Sequence, residues 1–270
     1  RENMTRLLDK LALPLFLGSV ASLAFVYGLA VGHYRIFPFK LLREAKRGFV
    51  AVNPFGTPSY FMKVEESDVR RGLDPESACK GVNLVTRVTG DHDLAVAIMG
   101  LEGRTLHEWR IDWFEVWPDA DHLPDVHGAA LMDDGDIVFN FDGRGLVRMD
   151  RKGQVVWRLP YQTHHSVHRH DDGNLWVCGQ KEHAEPDPRF PNRTPPFRED
   201  TVLEVAPDGR ILNEWSVADL LRKNDRKGLV SLTSVEKKYN RDVLHLNDVE
   251  PFPDDMTEGF FTRGDVLVSL

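Results

Sequence analysis

Cysteine is scarce in this sequence: only Cys79 and Cys178 occur among 270 residues, and no Cys-x-x-Cys motif is present. This scarcity excludes a disulfide-rich scaffold and a cysteine-based metal or redox motif. Two free thiols are favoured for this pair, and a single bridge is the alternative for an exported domain. The chain also has no basic tract to offset its formal net charge of −8, which argues against a nucleic-acid partner.

Charge is absent from residues 11–32, LALPLFLGSVASLAFVYGLAVG. A helix of this length, at a rise of about 1.5 Å per residue, spans roughly the 30 Å of bilayer hydrocarbon. The sequence therefore predicts a flank over 1–10 and one transmembrane helix over 11–34, which holds the chain in a lipid bilayer. A cleaved signal peptide is the alternative, but it has a shorter apolar region, and His33-Tyr34-Arg35 supplies no small-residue cleavage site.

A segment of mixed aromatic and basic residues follows the helix over 37–49, FPFKLLREAKRGF, and is typical of a helix lying along lipid headgroups. Residues 50–80 are rich in Pro, Gly and charge and predict an extended tether. The region 35–83 is therefore assigned as an interfacial helix and linker. By the positive-inside rule, the basic residues after the helix favour a cytoplasmic C-terminal part, although large domains can translocate despite flanking charge.

Short runs of β-branched and aromatic residues beyond residue 84 are separated by Gly-Asp turns, which predicts an all-β, many-stranded antiparallel protein. One phrase recurs, as EGRTLHEW at 102–109, DGRILNEW at 208–215 and the shorter KGQVVW at 152–157. Glycine supplies the positive φ of a hairpin turn, and the even spacing from Gly to Trp keeps the tryptophan on one face of its strand. Units of about 40 residues with this pattern are typical of β-propeller blades.

A β-propeller is thus predicted over 84–270. Its units are one that ends near Trp109, one over 125–159, one over 163–217 and an unfinished one from Leu244. Three units and a fraction are too few to close a ring, so the chain is interpreted as part of a larger propeller. An insertion over 182–199, rich in Pro and charge, is predicted to be a surface loop.

A histidine stands at the start of three units: His127 in DVHG, His165 in THHS and His245 in VLHLND. The first strand of each blade lines the central channel, so these imidazoles are expected to converge. Imidazole changes charge near neutral pH and can attack directly, which suits acid–base or nucleophilic chemistry on an anionic group. The alternative is structural, with each histidine bonded to the neighbouring blade.

The histidine run HHSVHRH at 164–170 raises the question of a metal site. No cysteine or carboxylate stands at a recognised metal spacing, so no metal is predicted. The Asp-Asp-Gly sequences at 133–135 and 171–173 are interpreted as turns, because an Asp side chain satisfies the turn backbone locally. The tryptophans are assigned to packing between blades: Trp109, Trp157, Trp176 and Trp215.

The phrases DVHG, HHSVHRHDDGNLWV, DVLHLNDVEPF and GDVLVSL occur in succession over roughly residues 84–270. This succession resembles the bacterial arylsulfotransferase (arylsulfate sulfotransferase) family. The resemblance implies a propeller of six blades that transfers a sulfuryl group between phenols through a histidine-bound intermediate, without a nucleotide, so no cofactor is expected. It also implies an aryl sulfate and a phenol as small-molecule partners, and a propeller in the periplasm. Together with the charge-free helix, this predicts a single-pass protein of the bacterial inner membrane.

Carried over residue by residue, His245 in HLND corresponds to a channel histidine that binds the sulfate group, and His165 corresponds to one from an earlier blade. The family's channel arginine follows the VLVS strand and is expected beyond Leu270, and the histidine that becomes sulfated belongs to a later blade. The chain therefore resembles the N-terminal part of the family, and the nucleophile is not assigned.

Two other functions are compatible with the sequence, because a fold does not fix a function. A propeller of the same ancestry, attached by its anchor helix, can cap or scaffold a larger membrane complex, such as a photosynthetic or respiratory one, by binding other subunits. A quinoprotein-like propeller is suggested only by the recurrent Gly-to-Trp strand ends.

Overall fold

The computed structural model describes most of the chain in two compact units, one of residues 1–70 with 90–92 and the other of residues 71–89 with 93–270. The predicted tether is outside the described residues up to 78, and the predicted interfacial segment is described only at 37–39, 41–42 and 45. The described residues are 2–34, 36–39, 41–42, 45, 79–88, 94–118, 125–232 and 244–270.

The first unit contains one long helix, α1, over Glu2–Tyr34. Its segment Ala12–Tyr34 has a mean hydropathy of 1.9 and is long enough to cross a bilayer. Large apolar side chains along it are exposed, among them Leu15 and Phe25. The helix is therefore a candidate membrane span or signal sequence, and it also takes in most of the flank over 1–10.

The second unit is built from antiparallel sheets whose strands follow one another in chain order. Blade 1 contains β1 (Val82–Val88), β2 (Leu94–Gly100) and β3 (Thr105–Ile111). Blade 2 contains β4 (Val126–Leu131), β5 (Ile137–Phe141), β6 (Gly145–Met149) and β7 (Val155–Leu159). Blade 3 contains β8 (Thr163–Arg169), β9 (Leu175–His183), β10 (Phe197–Val205) and β11 (Ile211–Ser216). Blade 4 contains β12 (Asp248–Pro251) and β13 (Val266–Ser269).

In the part of the chain that the structure describes, three short helices lie between these sheets. They are α2 (Trp113–Val116), α3 (Val217–Lys223) and α4 (Lys227–Leu232). Helix α3 begins at an N-cap serine, Ser216, whose hydroxyl accepts a hydrogen bond from the Asp219 N–H.

The hydrophobic core is divided among the interfaces between successive blades. Val96 and Trp109 of blade 1 pack with Phe139 of blade 2, and blades 2 and 3 share a second cluster that includes Val138 and Leu203. A third cluster joins blade 3 to blade 4. Since each sheet buries its faces against its neighbours, the described part of this unit has the mostly-β, blade-by-blade construction that the repeats predict.

Two closing tryptophans link their blade to the next one. The indole N–H of Trp109 donates to the Asp150 carbonyl of blade 2 over 2.9 Å, and that of Trp157 donates to the Pro207 carbonyl of blade 3 over 3.0 Å. The Trp157 ring lies against Gly209, where φ is +89° and a Cβ atom would come within 2.9 Å of the indole. At position 209, glycine is therefore required both by the turn and by the tryptophan of the preceding blade.

The prediction that 182–199 is a surface loop is wrong at both ends. Strand β9 continues to His183 and β10 begins at Phe197, so the connecting loop is 184–196. Phe190 and Phe197 are buried, and the His183 ring stacks on Phe197 at a centroid distance of 4.8 Å. Composition favoured a loop, but these aromatic side chains reach the core between blades 3 and 4.

Candidate functional site

The structure brings the three predicted histidines together. His127 lies in β4, His165 in β8 and His245 just before β12. The rings of His127 and His165 stack at a centroid distance of 5.1 Å with an interplanar angle of 18°. The rings of His165 and His245 are also 5.1 Å apart, at 71°. We call this set the histidine row; it runs across three adjacent blades.

Irregular backbone directs these side chains. The pairing of β4 with β5 shifts register between Val126 and Ala129, on either side of His127, and that of β8 with β9 shifts between His164 and Val167. A bulge redirects a side chain that regular alternation would aim elsewhere. His165 and His245 have φ of +51° and +60°, a left-handed conformation that costs a non-glycine residue about 1–3 kcal/mol and is concentrated at functional sites.

The glycine of DVHG allows blades 2 and 3 to approach at this bulge. A Cβ atom on Gly128 would lie 2.2 Å from the His165 carbonyl oxygen and 2.9 Å from the Val167 nitrogen. No side chain fits there, so Gly128 sets the distance between the main chains that carry His127 and His165.

The surroundings of His165, the central histidine of the row, favour its neutral form. The pKa of His165 is lowered to about 4, first by burial and then by the positive charge that His164, His127 and His245 would carry, while Asp142 acts in the opposite direction. His165 is therefore uncharged at neutral pH and can accept a proton or a hydrogen bond.

Two buried polar residues next to the row were not anticipated from the sequence. The two N–H groups of the Asn140 amide are shared among the carbonyls of His164, His165 and Ser166, whose oxygens each lie 3.0 Å from the nitrogen. The Asp200 carboxylate accepts hydrogen bonds from the backbone N–H groups of Leu244 and His245, both over 3.1 Å. A polar residue within a buried strand is the signal that could have indicated them, since such a group requires a partner.

Asp200 is a buried anion. Burial opposes its ionisation, yet the pKa of its carboxyl is lowered, because His164, Gln180 and the Leu246 N–H favour the charged form. Its Oδ1 atom lies 3.6 Å from the His164 Nε2 atom, a distance at which the attraction is electrostatic rather than a hydrogen bond.

Other members of the histidine run face blade 4 and lie near carboxylates. The His168 Nε2 atom is 3.0 Å from Asp248 Oδ1, and these two residues with Glu250 could hold a metal ion. His170 forms a similar group with Asp171 and Asp254. Apart from Asp171, the carboxylates come from about 80 residues away in the chain, so local spacing does not indicate them.

The cysteines are both free. Cys79 is exposed and Cys178 is buried, and the preference for two free thiols agrees with the structure. Burial raises the pKa of the Cys178 thiol to about 11, so this group is protonated and unreactive at neutral pH.

The blades, their shared cores and the three neighbouring imidazoles define a mostly-β, propeller-like protein. Residues 128–270 match the model of the arylsulfotransferase (ASST) family, and the chain belongs to this family. This confirms the resemblance noted from the sequence phrases. No curated protein matches the chain.

Solved structures resemble parts of the chain. A protein of unknown function from Bacteroides caccae is 16% identical over 46% of this chain and 41% of its own, with a TM-score of 0.26. A streptogramin B lyase is 14% identical over 48% of this chain and 53% of its own, with a TM-score of 0.25. The chain therefore spans about half or less of the length of these two structures, and the fold assignment rests on the sheets themselves.

Proposed function

We propose that this chain is part of an arylsulfotransferase held in a membrane by α1, in which His127, His165 and His245 bind the sulfuryl group as it passes from an aryl sulfate to a phenol. The observation that carries the proposal is the histidine row, in which three imidazoles from three blades lie within stacking distance. Membership of the arylsulfotransferase family supports the choice of reaction.

The transfer breaks the S–O bond of the donor ester and forms an S–O bond to the acceptor oxygen. The donor leaves as a phenolate and takes up the proton that the acceptor phenol loses, so the reaction balances without a redox partner or nucleotide. Negative charge stays on the sulfuryl oxygens throughout, and imidazole N–H groups aimed at those oxygens stabilise it.

His165 is suited to proton transfer at the centre of the row. It is neutral in the free site because its pKa is about 4, and a bound anion raises that pKa towards neutrality. The substrate therefore makes His165 a stronger base for the acceptor proton, which is the condition for efficient general-base catalysis. His127 and His245 are then placed on either side to donate hydrogen bonds to the sulfuryl oxygens.

The test uses the full-length protein in detergent with 4-nitrophenyl sulfate as donor and a phenol as acceptor. We expect His245→Asn to lower kcat by about 10²-fold, the usual cost of one lost donor to a developing charge. Asn tolerates the left-handed φ at this position, so the backbone is preserved.

His107→Asn, an exposed histidine of β3, is the matched control and should retain wild-type transfer. Equal rates for both variants and the wild type would refute the role of His245. A folded wild-type protein without any transfer would favour the alternative of a non-catalytic subunit of a membrane complex.

For the location we propose the bacterial inner membrane, with a single pass and the propeller in the periplasm. Trypsin added to intact spheroplasts is then expected to cut within the loop 184–196, which carries several exposed residues, and Arg193→Gln should reduce that cleavage. Protection in intact spheroplasts with cleavage only after lysis would place the propeller in the cytoplasm, as the flanking charges favour.

A further inference from the structure

The main chain of each channel histidine is bonded to a polar side chain of the preceding blade. Thr86 of blade 1 donates from its hydroxyl to the His127 carbonyl over 3.1 Å. Asn140 of blade 2 donates to the His165 carbonyl, and Asp200 of blade 3 accepts from the His245 N–H. The contact recurs at three successive interfaces although the side chains differ.

We propose that Thr86, Asn140 and Asp200 are positioning residues that set the direction of His127, His165 and His245, respectively. The inference rests on the proposed function only in so far as the direction of these imidazoles matters for transfer. Each of the three contacts the main chain of its histidine rather than the imidazole ring.

Asn140 is a polar side chain in an otherwise apolar, buried strand. It is fully buried in β5, whose other residues, Ile137, Val138, Phe139 and Phe141, are all apolar and buried. An unbonded amide in such a place is unfavourable. The two N–H groups, shared among three successive carbonyls, offset only part of that cost, because the buried Oδ1 atom has no hydrogen-bond partner among the described residues. Those carbonyls converge because His165 has a φ of +51°. The amide and the left-handed backbone therefore stabilise each other.

Asp200 holds the backbone at His245 in the same way, but it accepts hydrogen bonds where Asn140 donates them. It is 1% exposed and accepts from two consecutive N–H groups at the turn where His245 has a φ of +60°. The Gln180 amide also donates to it, over 3.3 Å. The donor side chain of Asn140 and the acceptor side chain of Asp200 cannot be exchanged. A carboxylate at position 140 would face three carbonyl oxygens and be repelled by them.

The experiment compares Asn140→Asp, Asp200→Asn and Thr86→Val with Val138→Ala in the full-length protein. Val138 is fully buried in the same strand as Asn140, so Val138→Ala reports loss of core packing alone. The first readout is the rate at which diethyl pyrocarbonate modifies each histidine, resolved by peptide mass spectrometry across pH. The second is kcat and KM for sulfuryl transfer.

We expect each positioning variant to change the modification rate of its own histidine several-fold, and Val138→Ala to change none. For Asn140→Asp we also expect kcat to fall by about 10²-fold, the cost of displacing a reacting group by about 1 Å, with a smaller change in KM. Thr86→Val keeps the side-chain shape at a half-buried position, so it should fold even if a buried variant does not.

Modification rates that follow the Val138→Ala control in all folded positioning variants would overturn the inference. Transfer absent from the wild type would instead refute the proposed function, and the modification rates would still report whether the histidines are positioned as we infer.

Discussion

Replacing Gly128 by alanine is expected to destabilise the protein by about 3 kcal/mol or more, at the upper end of the cost of overpacking. The new Cβ atom would meet the His165 oxygen at 2.2 Å, the Val167 nitrogen at 2.9 Å and the Ser166 carbonyl carbon at 3.0 Å. All three are backbone atoms, so no flexible side chain can move aside. Blades 2 and 3 would have to separate, and urea unfolding of the detergent-solubilised protein would measure the loss.

The matched control for this change is Gly228→Ala in α4. No atom lies within 4 Å of a Cβ built there, and alanine favours helix over glycine by up to about 1 kcal/mol. This variant should therefore be as stable as the wild type or slightly more so. A Gly128→Ala protein with wild-type stability would contradict the close approach of the blades that carry His127 and His165.

The second large effect is expected at His165. Because this imidazole lies between the other two of the row, His165→Asn should lower sulfuryl transfer by about 10²–10⁴-fold, the range for loss of a general acid or base. Asparagine accepts the left-handed φ of +51°, so the fold should be retained. His168→Asn on the same strand is the control, since His168 faces Asp248 rather than the row, and it should keep most of the activity.

The folding stability of His165→Asn is expected to fall less on acidification than that of the wild type. The pKa of His165 is about 4 in the folded protein and about 6.5 in an unfolded chain, so the unfolded state binds more protons between these values. Its contribution to stability is complete above about pH 6.5 and is lost as the pH falls through about 4. The groups that face it are His164, His127, His245 and Asp142.

Urea midpoints at pH 7, 5 and 4 measure this effect. The wild type should lose more stability on acidification than His165→Asn, because carboxylates such as Asp187, whose pKa is also lowered, contribute equally to both proteins. The opposite order would show that the pKa of His165 is raised rather than lowered in the folded protein.

Much of the architecture follows from local patterns. The phrase from Gly to Trp predicted the blades, because a hairpin turn needs a positive φ and a strand alternates its faces with period two. The strands of blades 2 and 3 fall within the units proposed over 125–159 and 163–217. The charge-free run predicted an apolar helix from its length alone, and the histidine at the start of each unit predicted which side chains would lie together.

Other features depend on residues far apart in the chain. The carboxylates beside His168 and His170 belong to blade 4, and Phe190 and Phe197 are buried although their neighbours in sequence favour a loop. The His165 carbonyl that Asn140 contacts lies 25 residues further along the chain, and the His245 N–H that Asp200 contacts lies 45 residues further along.

The sequence by itself thus determined the repeat, the apolar helix and the candidate histidines, because each depends on hydrogen bonding and burial within a short stretch of chain. Only the tertiary structure decided the direction of those histidines, the neutral state of His165 and the roles of Gly128, Asn140 and Asp200. The physical reason is that these properties arise where one blade packs against the next, and periodicity along a strand does not encode which residues will face each other across that interface.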